Sequence, residues 1–178
     1  MKVCGRRFNL YLALALALAL APFCGCRTSG KKEKNVSAIR IHVQTSSDTI
    51  GASQTVSVMR SGPVQVVIGH EPILTEASVV AARVIETPGG FAIEIKFDET
   101  SGWVLEQFSA ANPGKHLVIF GQWGDKLKEG RWLAAPLISH RMAGGVLVFT
   151  PDASREETDR FVLGLNNVAK KNAKGFGK

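Results

Sequence analysis

Beyond Val36, apolar and polar positions alternate in short runs, and that alternation predicts a chain built mainly of strands. Over Ser37–Val43, Ile39, Ile41 and Val43 point one way and Arg40, His42 and Gln44 the other, as in a half-buried strand. Ser46–Ser53 is mostly small and polar and reads as a loop. Val56–Met59 and Val64–Ile68 flank the turn sequence Ser61-Gly62-Pro63. Thr75 is placed to cap one helical turn. Val79–Glu86 and Phe91–Phe97 lie on either side of Thr87-Pro88-Gly89-Gly90, which predicts a hairpin.

Helical spacing enters at Thr100–Ala111. Val104, Leu105, Phe108 and Ala111 define an expected buried face, and Trp103 is expected in the core. Asn112-Pro113-Gly114 ends that helix, because proline lacks the amide and glycine takes left-handed angles freely. His116–Trp123 and Arg131–Ala135 are predicted strands around a polar tip, Gly124–Gly130. Gly145–Thr150 is the last strand. Ser154 and Glu157 form a capping box, and Phe161, Val162, Leu165 and Val168 face inward on the helix that follows. From Val79 onward the order is β-β-α-β-β-β-α. It predicts an α+β, two-layer domain with a mainly antiparallel sheet and two helices on one face.

The amino terminus follows a different pattern. Lys2, Arg6 and Arg7 precede an apolar run from about Leu10 to Phe23, which is short against the roughly 20 residues of a permanent span. The run ends in Gly25-Cys26. This is the pattern of an export signal, and it resembles a bacterial lipoprotein signal peptide cleaved before Cys26, with lipid added to that thiol. Phe23 and Cys24 depart from the usual residues at those positions. An uncleaved anchor is the alternative. The expected division is leader Met1–Gly25, lipidated cysteine and polar tether Cys26–Val36, domain Ser37–Ala169, and a basic, frayed tail Lys170–Lys178. The setting implied is the cell envelope, facing the periplasm, with inner or outer membrane left open.

Charge and cysteine content narrow the classes. Of the formal charge of +7, three units sit in the leader, three net in Arg27–Lys34, and four in Lys170, Lys171, Lys174 and Lys178, which leaves −3 for Asn35–Ala169. The predicted domain is mildly acidic, so no nucleic-acid partner is expected. The basic ends suit solvated tails near a membrane surface. Cys4, Cys24 and Cys26 are the only cysteines, so an exported domain beyond Cys26 has neither a disulfide nor a thiol nucleophile.

The candidate chemistry is sparse. His42, His70, His116 and His140 lack the spacing of a metal site, which needs three or four converging ligands. Ser61-Gly62 and Ser101-Gly102 have no nucleophile-elbow context. Neither a cofactor nor an enzymatic activity is expected. Trp123 and Trp132 flank the polar hairpin tip, with Lys126 and Lys128 in it. They read either as a partner-gripping pair, since tryptophan is enriched at binding hot spots, or as a cross-strand aromatic pair. The strand Ile39–Val43 is a candidate docking edge for an extended chain.

The stretch from about Pro72 to Asn166 also carries an ordered train of motifs. Leu74-Thr75 is followed by Ala81, Phe97-Asp98 precedes a helix, and Gly114-Lys115 precedes the strand to Phe120. Then come Ala134-Ala135-Pro136 with Ile138, Gly145 with Val148, and Ser154-x-Glu156-Glu157 with Leu163 and Leu165. In order and spacing this train resembles the head part of the first periplasmic domain of SecD, an accessory subunit of bacterial protein export. The hairpin Gln122–Arg131 is longer than that family's tight turn, and Pro151 stands where it has glycine. The resemblance implies a fold and an extracytoplasmic setting. It carries no motor activity, since SecD's membrane helices lie outside the matching stretch. The expected function is a non-enzymatic envelope lipoprotein that binds protein, either translocon or exported chains. The alternative is a structural scaffold without an export role.

Overall fold

A computed structural model describes residues 35–46 and 53–175. The leader, Cys26, most of the tether, the middle of the polar loop after Ser46 and the last three residues lie outside this range. The described residues belong to one compact unit, Lys34–Lys178.

Among the described residues, nine strands and two helices build it. They are β1 (Ala38–Val43), β2 (Ser53–Val58), β3 (Val64–Gly69), β4 (Leu74–Thr75), β5 (Val79–Thr87), β6 (Gly90–Phe97), α1 (Glu99–Ala111), β7 (Leu117–Trp123), β8 (Glu129–Ala134), β9 (Val146–Phe149) and α2 (Arg155–Gly175). Every strand pairing is antiparallel. The α+β class is therefore as expected. The strands, however, divide among three sheets: a central one ordered β4-β1-β7-β8, the hairpin β2-β3, and β5-β6-β9.

β1 is not the edge strand that its position in the sequence suggested. β7 pairs along its whole length from Ala38 to Val43, and β4 pairs at Arg40 and Ile41 on the other side. β7 is buried on both faces: Leu117, Val118 and Ile119 are all fully covered. The inner face packs Ile39, Ile41, Ile119 and Trp123 with Phe161, Val162 and Leu165 of α2. The outer face packs Val118 beneath Val56, Val58, Val66 and Ile68 of the β2-β3 hairpin. A strand covered twice loses the period-two signal, so its sequence reads as a continuous apolar run.

The caps read at Thr75 and Ser154 form, and α1 starts at Glu99, one residue before the expected Thr100. Asp98 caps α1 by accepting from the Ser101 amide at 2.8 Å. The Ser154 amide donates to Glu157 Oε2 at 2.8 Å and the Glu157 amide to Ser154 Oγ at 3.2 Å, completing the capping box of α2. Thr75 Oγ1 accepts from the Ala77 amide and opens a 3₁₀ turn at Glu76–Ser78. Past Lys170, where fraying was expected, α2 continues to Gly175.

The buried face of α1 differs from expectation. It consists of Ser101, Gly102, Leu105 and Ser109, while Phe108 and Ala111 are exposed and Trp103 is 66% exposed. The reason is a close backbone approach. A Cβ on Gly102 would lie 2.9 Å from the Gly145 Cα, and Gly145 itself has φ +67°. The helix backs onto a glycine turn rather than a sheet of large side chains, so small residues face inward.

Candidate protein-binding groove

The β2-β3 hairpin covers only part of the outer face of the central sheet. Where it stops, a groove of about 350 Å³ opens, lined by Arg40, His42, Gln54, His70, Pro72, Phe120 and Trp132. Register places its walls. Arg40 pairs with Phe120 across β1 and β7, and Phe120 pairs with Trp132 across β7 and β8. A bulge between Ile119 and Phe120 in this last ladder gives β8 one extra residue, Leu133. That extra residue lets Trp132 face the groove while Leu133 enters the core.

The groove is aromatic with a cationic side. Phe120 and Trp132 have ring centroids 5.0 Å apart, and His42 meets Trp132 edge-on at 5.6 Å. Arg40 Nη1 donates to Gln122 Oε1 at 3.1 Å and has no carboxylate partner among the described residues. His42 Nδ1 lies 2.8 Å from the Gly69 carbonyl oxygen. The carbonyl only accepts, so Nδ1 carries the proton. Burial pushes the His42 pKa below its ordinary value, helped by nearby Arg40 and His70 and opposed by the bond to Gly69. The lining contains no carboxylate, hydroxyl or thiol side chain. Its chemistry is that of flat apolar faces beside a guanidinium and imidazoles.

The predicted site residues separate. Trp123 is 1% exposed and packs edge-on against Phe161, with Arg131 stacked over it at 5.0 Å. It pairs with Glu129 and not with Trp132, and the two indoles lie on opposite faces of the sheet. Neither a surface tryptophan pair nor a cross-strand indole pair therefore forms, and Trp123 is a core residue. Lys126 and Lys128 are exposed at the hairpin tip, Lys128 being 3.7 Å from Asp125, and neither lines the groove. Cys26 lies outside the described residues. Among the described residues no three His, Cys, Asp or Glu side chains gather to hold a metal ion.

Arg40, His42 and Phe120 are the groove residues that sequence reading did not join to Trp132. Alternation does put Arg40 and His42 on one face, but nothing local shows which strand lies beside them. A second depression of about 350 Å³ surrounds Trp103, between the start of α1 and Gly144-Gly145. The Arg141–Glu106 ion pair lies beside it.

These features define an antiparallel α+β domain with one helix across its central sheet and an aromatic groove on the other side. Solved structures that share this fold include two of SecDF. One is described as a membrane component that enhances protein export; it is 19% identical with a TM-score of 0.51, and the match covers 75% of this chain and 63% of that one. The other, SecDF in its super-membrane-facing form, is 20% identical with a TM-score of 0.52, covering 75% of this chain and 19% of that one. The domain is SecD-like in fold, and this chain corresponds to only part of those proteins. No protein-family model and no curated protein sequence matches it. No helix among the described residues is long and apolar enough to cross a membrane.

Proposed function

We propose that this chain is a non-enzymatic envelope lipoprotein, tethered through Cys26, whose SecD-like domain binds extended protein segments in the Trp132 groove. The observation that carries the reading is the groove itself. It sets an arginine that has no carboxylate partner among the described residues beside two tilted aromatic rings 5.0 Å apart, with no carboxylate, hydroxyl or thiol in its lining. A chain exported unfolded presents apolar and acidic side chains in extended form, which suits such a surface. The fold likeness to SecDF, a component that enhances protein export, supports an accessory role in export. Lys126 and Lys128 at the hairpin tip would add a second, peripheral contact.

A photo-crosslinking residue at Gln54, which lines the same groove as Trp132, tests this in cells. Translocon subunits or many exported chains are the expected products. Trp132→Ala is expected to cut their yield by an order of magnitude or more, as truncating an aromatic hot spot costs about 2 kcal/mol. Undiminished crosslinking in that variant removes the groove from the account. A single fixed envelope partner in place of many would favour the scaffold reading.

A further inference from the structure

Asn35, the first described residue, lies against α2. Its carbonyl accepts from Asn167 Nδ2 at 2.8 Å. One turn earlier, Gly164 lets the entering chain run directly over the helix, since a Cβ there would sit 2.8 Å from the Ser37 nitrogen. The chain thus enters the domain beside the middle of α2.

The next turns carry Lys170, Lys171 and Lys174, all exposed. Leu163, Asn167, Lys170 and Lys174 recur at four- and three-residue spacing and so share one stripe of the helix. Leu163 is 51% exposed. The stripe from Asn167 to Lys174 spans about 10 Å at 1.5 Å per residue.

None of the three lysines has a carboxylate partner among the described residues. The arginines in the first half of α2 differ: Arg155 pairs with Glu86 and Asp159, and Arg160 with Glu129. No acid follows Asp159 in the sequence, and the segment before Asn35 adds Arg27, Lys31, Lys32 and Lys34 against Glu33 alone. Positive charge therefore gathers where the tether enters a domain that is otherwise net acidic.

We infer that this stripe of α2, with Lys170, Lys171 and Lys174, is a docking face that seats the domain on an anionic lipid surface. The inference rests on the tethered reading above and adds an orientation to it. A tether entering beside the stripe lets these cations come within about a Debye length, roughly 10 Å, of the headgroups, where cationic side chains are attracted to anionic lipid. Leu163 supplies an apolar contact at the same face. α2 covers the inner face of the central sheet, so docking through it leaves the Trp132 groove open on the other side.

The test uses the lipidated mature chain, beginning at Cys26, on phosphatidylcholine vesicles with or without about a third phosphatidylglycerol, the anionic component. Floated protein is treated with an amine-reactive label, and each lysine is read by mass spectrometry. On the anionic vesicles Lys170, Lys171 and Lys174 are expected to label several-fold less than on neutral ones. The difference should vanish at molar salt, where the Debye length falls to about 3 Å. Lys126 and Lys128, at the hairpin tip, should label equally on both. Flotation with equal labelling of the three α2 lysines overturns the docking face and leaves the tether standing. Failure to float on either vesicle overturns both. Equal protection by polyglutamate or RNA in solution overturns the assignment to a membrane.

Discussion

His42 sets the local chemistry of the groove. It is 3% exposed, held by Gly69 and pressed against Trp132. A proton added to its second nitrogen would place a cation out of water and beside Arg40 and His70, so the folded protein binds that proton less readily than the unfolded chain. The sign follows from linkage. The folded pKa lies below the unfolded value of about 6.5, so the contribution is complete above that pH and is lost as pH falls toward the folded pKa. Thermal stability should therefore decline as pH drops below about 6.5, and His42→Gln, whose amide does not titrate, should flatten that part of the profile. Scanning calorimetry at several pH values checks it; identical profiles would mean that another group governs the decline. From sequence, alternation alone put His42 with Arg40. That Trp132 completes the surface depended on register across β1, β7 and β8, which no local pattern encodes.

At the scale of elements, α2 works as a cover as well as a core helix. β5 is an edge strand of its sheet, and an open edge invites pairing with other chains. Asn166 closes it at one point by bonding both backbone groups of Ala82: its Oδ1 accepts from the Ala82 amide at 3.0 Å and its Nδ2 donates to the Ala82 carbonyl at 2.8 Å. The side-chain amide thus stands in for a neighbouring strand. Asn166→Ala removes both bonds and is expected to lower stability by about 1–3 kcal/mol, read as an earlier urea midpoint with unchanged slope. Asn166→Asp, which keeps the acceptor and loses the donor, should fall between the two. Equal midpoints for all three proteins would deny Asn166 this role. The inward apolar positions of α2 were legible because Phe161, Val162 and Leu165 meet large side chains at helical spacing. Those of α1 were not, because its partner is the glycine turn at Gly145. Contact with a bare backbone favours small residues, which a search for apolar periodicity overlooks.

Across the molecule, one central sheet separates two apolar clusters, and the smaller is built only from the β2-β3 hairpin and the outer face beneath it. The hairpin determines how much of that face is a groove and how much is core. Entry of the chain, the α2 lysines and the groove then give the domain two distinct sides. The proposed attachment at Cys26 makes a direct prediction. Cys26→Ala is expected to abolish incorporation of a labelled fatty acid while leaving the domain folded by circular dichroism. Persistent labelling of that variant would place the lipid elsewhere or remove it from the account. A lone acyl chain binds membranes only reversibly, so stable retention requires a second chain or a basic face such as the one proposed at Lys170, Lys171 and Lys174.

The element order, the antiparallel hairpin at β5-β6, the capping box at Ser154 and the chain breaks at Asn112-Pro113-Gly114 were determined by the sequence itself. Each depends on periodicity or hydrogen bonding within a few residues, and such interactions are the same in any fold. The tertiary structure alone decided that β1 lies inside its sheet, that Trp123 is core while Trp132 lines a groove, and that Trp103 stays at the surface. Those outcomes depend on pairing between residues up to eighty-four apart, as at Ala38 and Gln122. They also depend on one extra residue in β8 and on which faces a second layer covers. Side-chain direction in a strand reverses with every residue, so a single bulge or a covering hairpin changes what a face becomes without altering its local pattern.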